Sequence, residues 1–159
     1  MITMPILRTV AGAACVMALA GCSGSAGCDV PPPDLLIRGR TIQATLLVEI
    51  ARTPAEQAKG LSGVPSLPPD DGMVFEFSHP TSVPFWMKDT TIPLSIAFWN
   101  SSGRIVDILD MTPCRTAPCR RYRSTRPFVG AVEVNRGYFR RYGIGIGDRV
   151  RLEQAACNL

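Results

Sequence analysis

The chain has 159 residues, with 17 basic and 13 acidic side chains and a formal net charge of +4 at neutral pH. This length is enough for one domain with a hydrophobic core. The small positive excess does not indicate binding to nucleic acid, which a strongly basic chain would suggest. Nucleic acid is therefore not an expected partner.

An uncharged apolar run extends from Val10 to Ala20, after the basic residue Arg8. It is too short to cross a bilayer as a helix, which needs about 20 apolar residues, but it fits a secretory signal that is removed. Leu19-Ala20-Gly21-Cys22 resembles the bacterial lipobox, in which the cysteine becomes the lipidated first residue. We therefore expect a lipoprotein signal peptide over 1–21 and a lipid on Cys22. The alternative is an ordinary signal peptide followed by a chance cysteine.

The next segment, 22–34, is rich in Gly, Ser and Pro and has almost no large apolar side chains. This composition indicates a flexible tether, stiffened at its end by three consecutive prolines. A single globular domain is then expected over 35–159. The protein is predicted to be exported and anchored by its lipid in the cell membrane, facing the periplasm or the extracellular side. Expected partners are this membrane and an envelope glycan, anionic lipid or polymer.

After removal of the signal peptide, four cysteines remain besides Cys22. Outside the cytoplasm an even number of cysteines indicates disulfide bonds. Cys114 and Cys119 lie close together in a proline-containing loop, which favours a local bridge and leaves Cys28 with Cys157. A redox or metal pair in that loop is the alternative, but the spacing is wider than in a redox dithiol, and no clustered ligand motif is present. No metal or cofactor is expected.

Strand and helix signals begin at residue 42. Strict apolar–polar alternation over 42–50 predicts a half-buried strand. The segment Thr53-Pro54-Ala55-Glu56 carries a capping box with proline at the first helical position, so a short helix is expected, ending at Gly60. A proline-rich loop over 62–71 then leads to a strand at 73–77.

Further strands are expected in the second half of the chain. Segments 92–99 and 104–109 flank the turn Asn100-Ser101-Ser102-Gly103, which predicts a β-hairpin. Residues 128–134 form a strand-like apolar run, 135–142 fit one or two helical turns, and 149–153 fit a last strand. The chain is therefore expected to be mainly β, as a compact β-sandwich or partly closed barrel with one or two short helices.

The most distinctive internal stretch is Phe85-Trp86-Met87-Lys88-Asp89-Thr90, followed by Ile92-Pro93-Leu94. Here the chain resembles the uncharacterised bacterial and archaeal family called domain of unknown function 192, over roughly 48–152. The supporting landmarks are Thr53…Glu56, Gly60-Leu61, Gly72-Met73…Phe75…Phe77, Pro113-Cys114…Cys119…Tyr122, Val132-Glu133 and Gly137…Gly143…Gly147-Asp148.

Two positions depart from the family pattern, because Asp89 stands where the family typically has asparagine and Ser95 where aspartate is common. The resemblance implies a compact, mostly β fold that is often exported. It implies no established reaction.

Alternation along a strand places Trp86 and Lys88 on the face opposite Phe85 and Met87. An aromatic surface beside an ammonium group suits stacking on a sugar or binding an anion. The candidate ligand-binding residues, including a hydroxyl and a carboxyl expected nearby, are Trp86, Lys88, Asp89, Thr90, Tyr122 and Glu133.

Three functions stay open for this segment. The main interpretation is a binding module with a cleft around it. The second is a hydrolase or lyase acting on an envelope glycan, with Glu133 and Asp89 as acid and base and Lys88 or Tyr122 stabilising negative charge. The third is a structural or interaction module, in which Trp86 is core and Lys88 and Asp89 form a surface ion pair.

A group of arginines surrounds the cysteine loop, and it either forms a solvated surface or contacts anionic lipid headgroups and envelope polymers. Its members are Arg115, Arg120, Arg121, Arg123 and Arg126.

Overall fold

The computed structural model describes residues 32–39 and 42–153. The predicted signal peptide over 1–21, Cys22, Cys28, Cys157 and the tether up to residue 31 lie outside the described residues. The elements, in chain order, are β1 (Asp34–Arg38), β2 (Gln43–Ala51), α1 (Pro54–Lys59), β3 (Asp71–Thr81), β4 (Phe85–Trp86), β5 (Leu94–Trp99), β6 (Ile105–Met111), β7 (Arg121–Tyr122), β8 (Phe128–Asn135), α2 (Tyr138–Arg141) and β9 (Arg149–Glu153). Across the described ranges, neither helix is long and apolar enough to cross a membrane.

Seven strands form one curled sheet in the order β6-β5-β8-β3-β2-β1-β9, and β4 pairs with β7 in a small second sheet. Neighbouring strands are antiparallel except β2 and β3, which run parallel on either side of α1. The two edges of the curled sheet meet at one end, through an antiparallel bridge between Arg104 and Arg149. There the Val150 N–H donates to the Gly103 carbonyl at 2.8 Å. The prediction of a mainly β, partly closed barrel with two short helices is confirmed.

Local sequence signals account for several of these elements. Thr53 caps α1: its hydroxyl accepts from the Glu56 N–H at 3.3 Å, and the Glu56 carboxylate accepts from the Thr53 N–H at 2.9 Å. Gly60 follows the last helical residue with a φ of 48°, which glycine adopts at little cost. The expected hairpin also forms, since β5 pairs with β6 across the turn. The predicted capping box and hairpin are therefore confirmed.

Two hydrophobic cores lie on opposite faces of the curled sheet. We call the first the interior core, because the curled sheet encloses it and α2 packs into it. Its buried members are Leu35, Ile37, Ala44, Leu46, Val48, Val74, Ala97, Trp99, Ile105, Val132, Val134, Tyr138, Phe139, Ile144 and Val150.

The outer core lies on the other face of β3, β5, β6 and β8 and is covered by β4, β7 and the residues after α1. Its buried members are Ala51, Leu61, Phe75, Phe85, Met87, Leu94, Ile96, Phe98, Val106, Met111, Tyr122, Phe128 and Ala131. Four of its phenylalanines contact one another with ring centroids 4.7–6.2 Å apart, which is the usual range for aromatic pairs.

Candidate functional site

A cavity of about 300 Å³ opens over the outer core, between α1 and β4. We call it the outer cavity. Its volume lies at the lower end of small-ligand sites, which are roughly 300–1,000 Å³. Its lining includes Gln57, Lys59, Gly60 and Leu61 from the α1 region, Phe75 and Phe77 from β3, Val83 to Trp86 around β4, and Lys88, Thr90, Arg121 and Glu133.

Glu133 supplies the buried ionisable group of this cavity. It lies on β8 between Met73 of β3 and Ile96 of β5, and it is only 5% exposed. Burial raises the pKa of its carboxyl group to about 8, and no neighbouring charge or hydrogen bond in the described chain contributes to that rise. At neutral pH the group is therefore mostly protonated, and it offers the cavity one donor and one acceptor.

Three cationic side chains stand where the outer cavity meets solvent. Lys59, Lys88 and Arg121 are exposed and also line the cavity. Among the described residues that line the cavity, Glu133 is the sole carboxyl group. Because Glu133 is mostly neutral at pH 7, the opening carries a net positive charge.

Trp86 forms an aromatic wall beside these cations. Its side chain is 40% exposed, and it pairs across the small sheet with Arg121. The Arg121 guanidinium lies 4.0 Å from the centre of the indole ring, and the Lys88 ammonium lies 5.8 Å from it. Both distances fall within the range of cation–π attraction, about 6 Å. The short β4–β7 pairing thus holds the indole and two cations together.

A turn over 87–90 sets the direction of the chain after Trp86. The Thr90 N–H donates to the Met87 carbonyl at 3.3 Å, and Asp89, the third residue of the turn, has a φ of 56°. Positive φ at this position favours Gly, Asn or Asp. Asp89 meets this backbone requirement. Its carbonyl also accepts from the Gly63 N–H at 2.9 Å, which links the turn to the loop after α1.

Of the six residues predicted for the site, the outer cavity brings together Trp86, Lys88, Thr90 and Glu133. Asp89 instead lines a neighbouring cavity beside the Cys114–Cys119 loop. Two sequence expectations about Asp89 therefore change. It does not share a cavity with Glu133 as an acid–base pair would require, and within the described residues it forms no ion pair with Lys88.

Tyr122 lies beneath the two cavities, in the outer core. Its side chain is buried, and its hydroxyl accepts from the Thr112 N–H at 3.0 Å and lies 3.1 Å from the Thr112 hydroxyl. It does not line the outer cavity, because this hydrogen bonding directs its hydroxyl toward the chain after β6. Its place in the structure is that of a packing residue.

The cysteine loop carries the predicted local pair. Cys114 and Cys119 lie in disulfide geometry with their Cα atoms 5.4 Å apart. In the ranges described, no group of three or more His, Cys, Asp or Glu side chains could hold a metal ion. The partner pair, Cys28 and Cys157, lies outside the described residues.

Sequence reasoning did not assign Lys59 to the site and placed Arg121 only in a general basic group. Lys59 reaches the cavity because α1 lies beside β3, where the Gln57 side-chain amide donates to the Glu76 carbonyl at 2.8 Å. The one local signal was its position directly before the capping Gly60. Arg121 reaches it through pairing with Trp86, a contact between segments 35 residues apart along the chain. No local pattern predicts such a pairing.

Comparison with known proteins gives a family but no reaction. The chain matches the DUF192 family, described as uncharacterized ACR, over residues 36–152. A crystal structure of a protein of unknown function from Novosphingobium aromaticivorans shares 33% identity and a TM-score of 0.69, covering 74% of this chain and 83% of that one. A structure from Sinorhizobium meliloti, named as a candidate transcription regulator, shares 30% identity and a TM-score of 0.69, covering 76% and 92%. No curated protein matches the chain. The chain belongs to the DUF192 family.

Proposed function

We propose that this protein is an exported, lipid-anchored binding module, and that its outer cavity takes an acidic sugar of the cell envelope. The observation that carries the proposal is the Glu133 carboxyl group, which is buried at this cavity with no partner among the described residues. The oxygens of this carboxyl group reach the surface of the cavity and are not fully enclosed by the protein. A ligand hydroxyl that reaches Glu133 can donate to it and accept from it, so the cavity favours a hydroxyl-bearing ligand.

The charges around the opening favour an anion. Lys59, Lys88 and Arg121 line the cavity from its solvent side, and Glu133 is mostly uncharged at neutral pH. A carboxylate or phosphate on the ligand can therefore bind at the opening without opposition from a carboxylate of the protein. Charge-assisted hydrogen bonds of this kind are roughly twice as strong as neutral ones.

The walls and volume favour a sugar-sized ring. Trp86 presents an exposed indole to the cavity, which Phe77 and Phe85 also line. An aromatic face next to hydrogen-bonding groups is suited to a sugar, which has apolar C–H faces and a polar rim. The cavity volume of about 300 Å³ suits a single sugar unit.

Binding is a better account than glycan hydrolysis. Glycoside hydrolysis by the common mechanisms uses two carboxyl groups that flank the same bond. The outer cavity supplies Glu133, whereas Asp89 faces the neighbouring cavity. A single neutral carboxyl group can donate and accept hydrogen bonds, and this is sufficient for recognition.

The location is supported by the sequence Leu19-Ala20-Gly21-Cys22 after an apolar run. Lipidation with two acyl chains would give stable anchoring, where one chain is marginal. Expression in a bacterial host should therefore yield a membrane-bound protein whose N-terminal peptide has the mass of a lipidated cysteine. A Cys22→Ala variant should lack that mass. An unlipidated N-terminal peptide from the unsubstituted chain would contradict the anchor.

Calorimetric titration of the full chain in detergent tests the ligand class. The probes are glucuronic, galacturonic and N-acetylmuramic acids, each compared with its neutral counterpart: glucose, galactose or N-acetylglucosamine. We expect at least one acid to bind about tenfold or more tightly than its counterpart, since one charge-assisted hydrogen bond accounts for this factor. Glu133→Leu and Trp86→Ala should abolish measurable binding, and Lys88→Ala should weaken it about fivefold.

The matched control is Arg38→Ala, which removes an exposed cation on β1 that lies away from the cavity. It should bind like the unsubstituted chain, and circular dichroism should show that all variants are folded. If none of the acids binds, or if Trp86→Ala and Lys88→Ala bind as tightly as the unsubstituted chain, the proposal is wrong.

A further inference from the structure

We infer that the ligand is an acidic oligosaccharide of at least two sugar units, which continues from the outer cavity past Trp86 into a second cavity. This inference rests on the proposed function of the outer cavity. The second cavity has a volume of about 500 Å³ and lies beside the Cys114–Cys119 loop. We call it the loop cavity.

The two cavities are adjacent because they share three side chains. Trp86, Lys88 and Arg121 line both of them, and all three are exposed. A ligand that contacts these residues in the outer cavity therefore already lies at the border of the loop cavity. The indole of Trp86 lies at this border, where it can contact two consecutive sugar rings.

Positive charge is distributed along both cavities. Of these two cavities, Lys59 lines only the outer cavity and Arg115 only the loop cavity, while Lys88 and Arg121 line both. Asp89 opposes this charge in the loop cavity, and it can accept hydrogen bonds from sugar hydroxyls there. A ligand with one negative charge on each of two units matches this distribution better than a ligand with a single charge.

The wall of the loop cavity is held in place before any ligand binds. Cys114 is paired with Cys119, and the Cys114 N–H donates to the Met87 carbonyl at 3.3 Å. Met87 is itself buried in the outer core, between Trp86 and Lys88 in the chain. A preformed wall lowers the entropy cost of ordering a binding surface, so the loop cavity is suited to hold a second unit.

Ligand length provides the test. The full chain is titrated with galacturonic acid and with its α-1,4-linked dimer and trimer. We expect the dimer to bind about tenfold or more tightly than the monomer, since a second charged unit adds at least one charge-assisted contact. Arg115→Ala should weaken binding of the dimer about fivefold and leave the monomer unchanged. Arg126→Ala removes an exposed arginine that lines neither cavity, and it should change neither affinity.

The possible outcomes separate this inference from the proposed function. If monomer and dimer bind equally, or if Arg115→Ala leaves the dimer unaffected, the second unit does not occupy the loop cavity and the inference is wrong, while the proposed function stands. If Arg115→Ala and Arg126→Ala weaken the dimer equally, the gain comes from general positive charge and the inference is also wrong. If no acidic saccharide of any length binds, both proposals fail.

Discussion

The two faces of the curled sheet are built from the same strands but are closed in different ways. The sheet itself encloses the interior core, and α2 packs into it. Short separate pieces, namely β4, β7 and the residues after α1, cover the outer core and leave a cavity beside α1. Successive residues of β8 show the difference, because Val132 and Val134 face the interior core while Glu133 faces the outer cavity. Closure by separate pieces leaves room for a buried carboxyl group and for a ligand.

The largest expected loss of stability comes from introducing a carboxyl group into the interior core. Val132→Glu would place one there, because Val132 is fully buried in that core. An unpaired charge in such a place costs about 5 kcal/mol or more of the free energy of unfolding. Urea denaturation followed by circular dichroism should show a chain that is unfolded or nearly so. A variant with an unchanged denaturation midpoint would mean that the interior core is not closed.

The second largest effect is a pH dependence of the free energy of unfolding that comes from Glu133. Its pKa rises from 4.5 to about 8 on folding, so above pH 4.5 the folded state binds more protons than the unfolded state. The free energy of unfolding therefore falls as pH rises from 4.5 to about 8, by roughly 5 kcal/mol at most. Glu133→Gln keeps the shape and removes the titration. Its stability relative to the unsubstituted chain should increase across this pH range and level off above it.

The matched control is Glu49→Gln, which removes an exposed strand carboxyl group on β2. This variant retains Glu133, so its stability should still fall as pH rises from 4.5 to about 8. Urea denaturation of the three proteins at pH 5, 6, 7 and 8 supplies the measurement. An equal pH dependence for Glu133→Gln and the unsubstituted chain would show that Glu133 is ionised in the folded protein.

The smallest expected loss of stability comes from α1, the helix that lines the outer cavity. Thr53→Ala removes the side-chain cap of α1, which typically costs about 1 kcal/mol. Because α1 lines the outer cavity and contributes nothing to the interior core, hydrogen exchange should accelerate in α1 and not in β1 or β9. Thr53→Ser retains the cap and should exchange like the unsubstituted chain. Faster exchange throughout the sheet would mean that the two faces unfold together.

Local patterns predicted the elements whose causes are local. Alternation predicted β2, and the residues Thr53, Pro54 and Glu56 predicted α1. No strand was predicted for β1 or β7, and strand alternation at β4 predicted only the directions of its side chains, because the pairing partners of these strands determine them. β1 lies between β2 and β9, and β4 and β7 have two residues each and exist only through mutual pairing.

The same distinction applies to the site. The opposite directions of Phe85 and Trp86 follow from strand alternation, and the structure agrees, with Phe85 buried and Trp86 exposed. The positions of Asp89 and Tyr122 depend on a positive φ and on a hydrogen bond to Thr112, which alternation does not describe. The convergence of Lys59 and Arg121 depends on the hydrogen bond that holds α1 beside β3 and on the pairing of β7 with β4.

The bridge between Arg104 and Arg149 has a consequence for association between copies of the chain. An open sheet edge exposes unpaired backbone groups that can pair with another molecule and start aggregation. The bridge pairs β6 and β9 with each other at one end, so these groups are satisfied within the chain there. Farther along β6, the Asp107 carboxylate accepts from the Thr125 N–H at 2.8 Å, which holds another segment beside the strand. The partial closure of the sheet thus hinders edge-to-edge pairing with another copy of the chain.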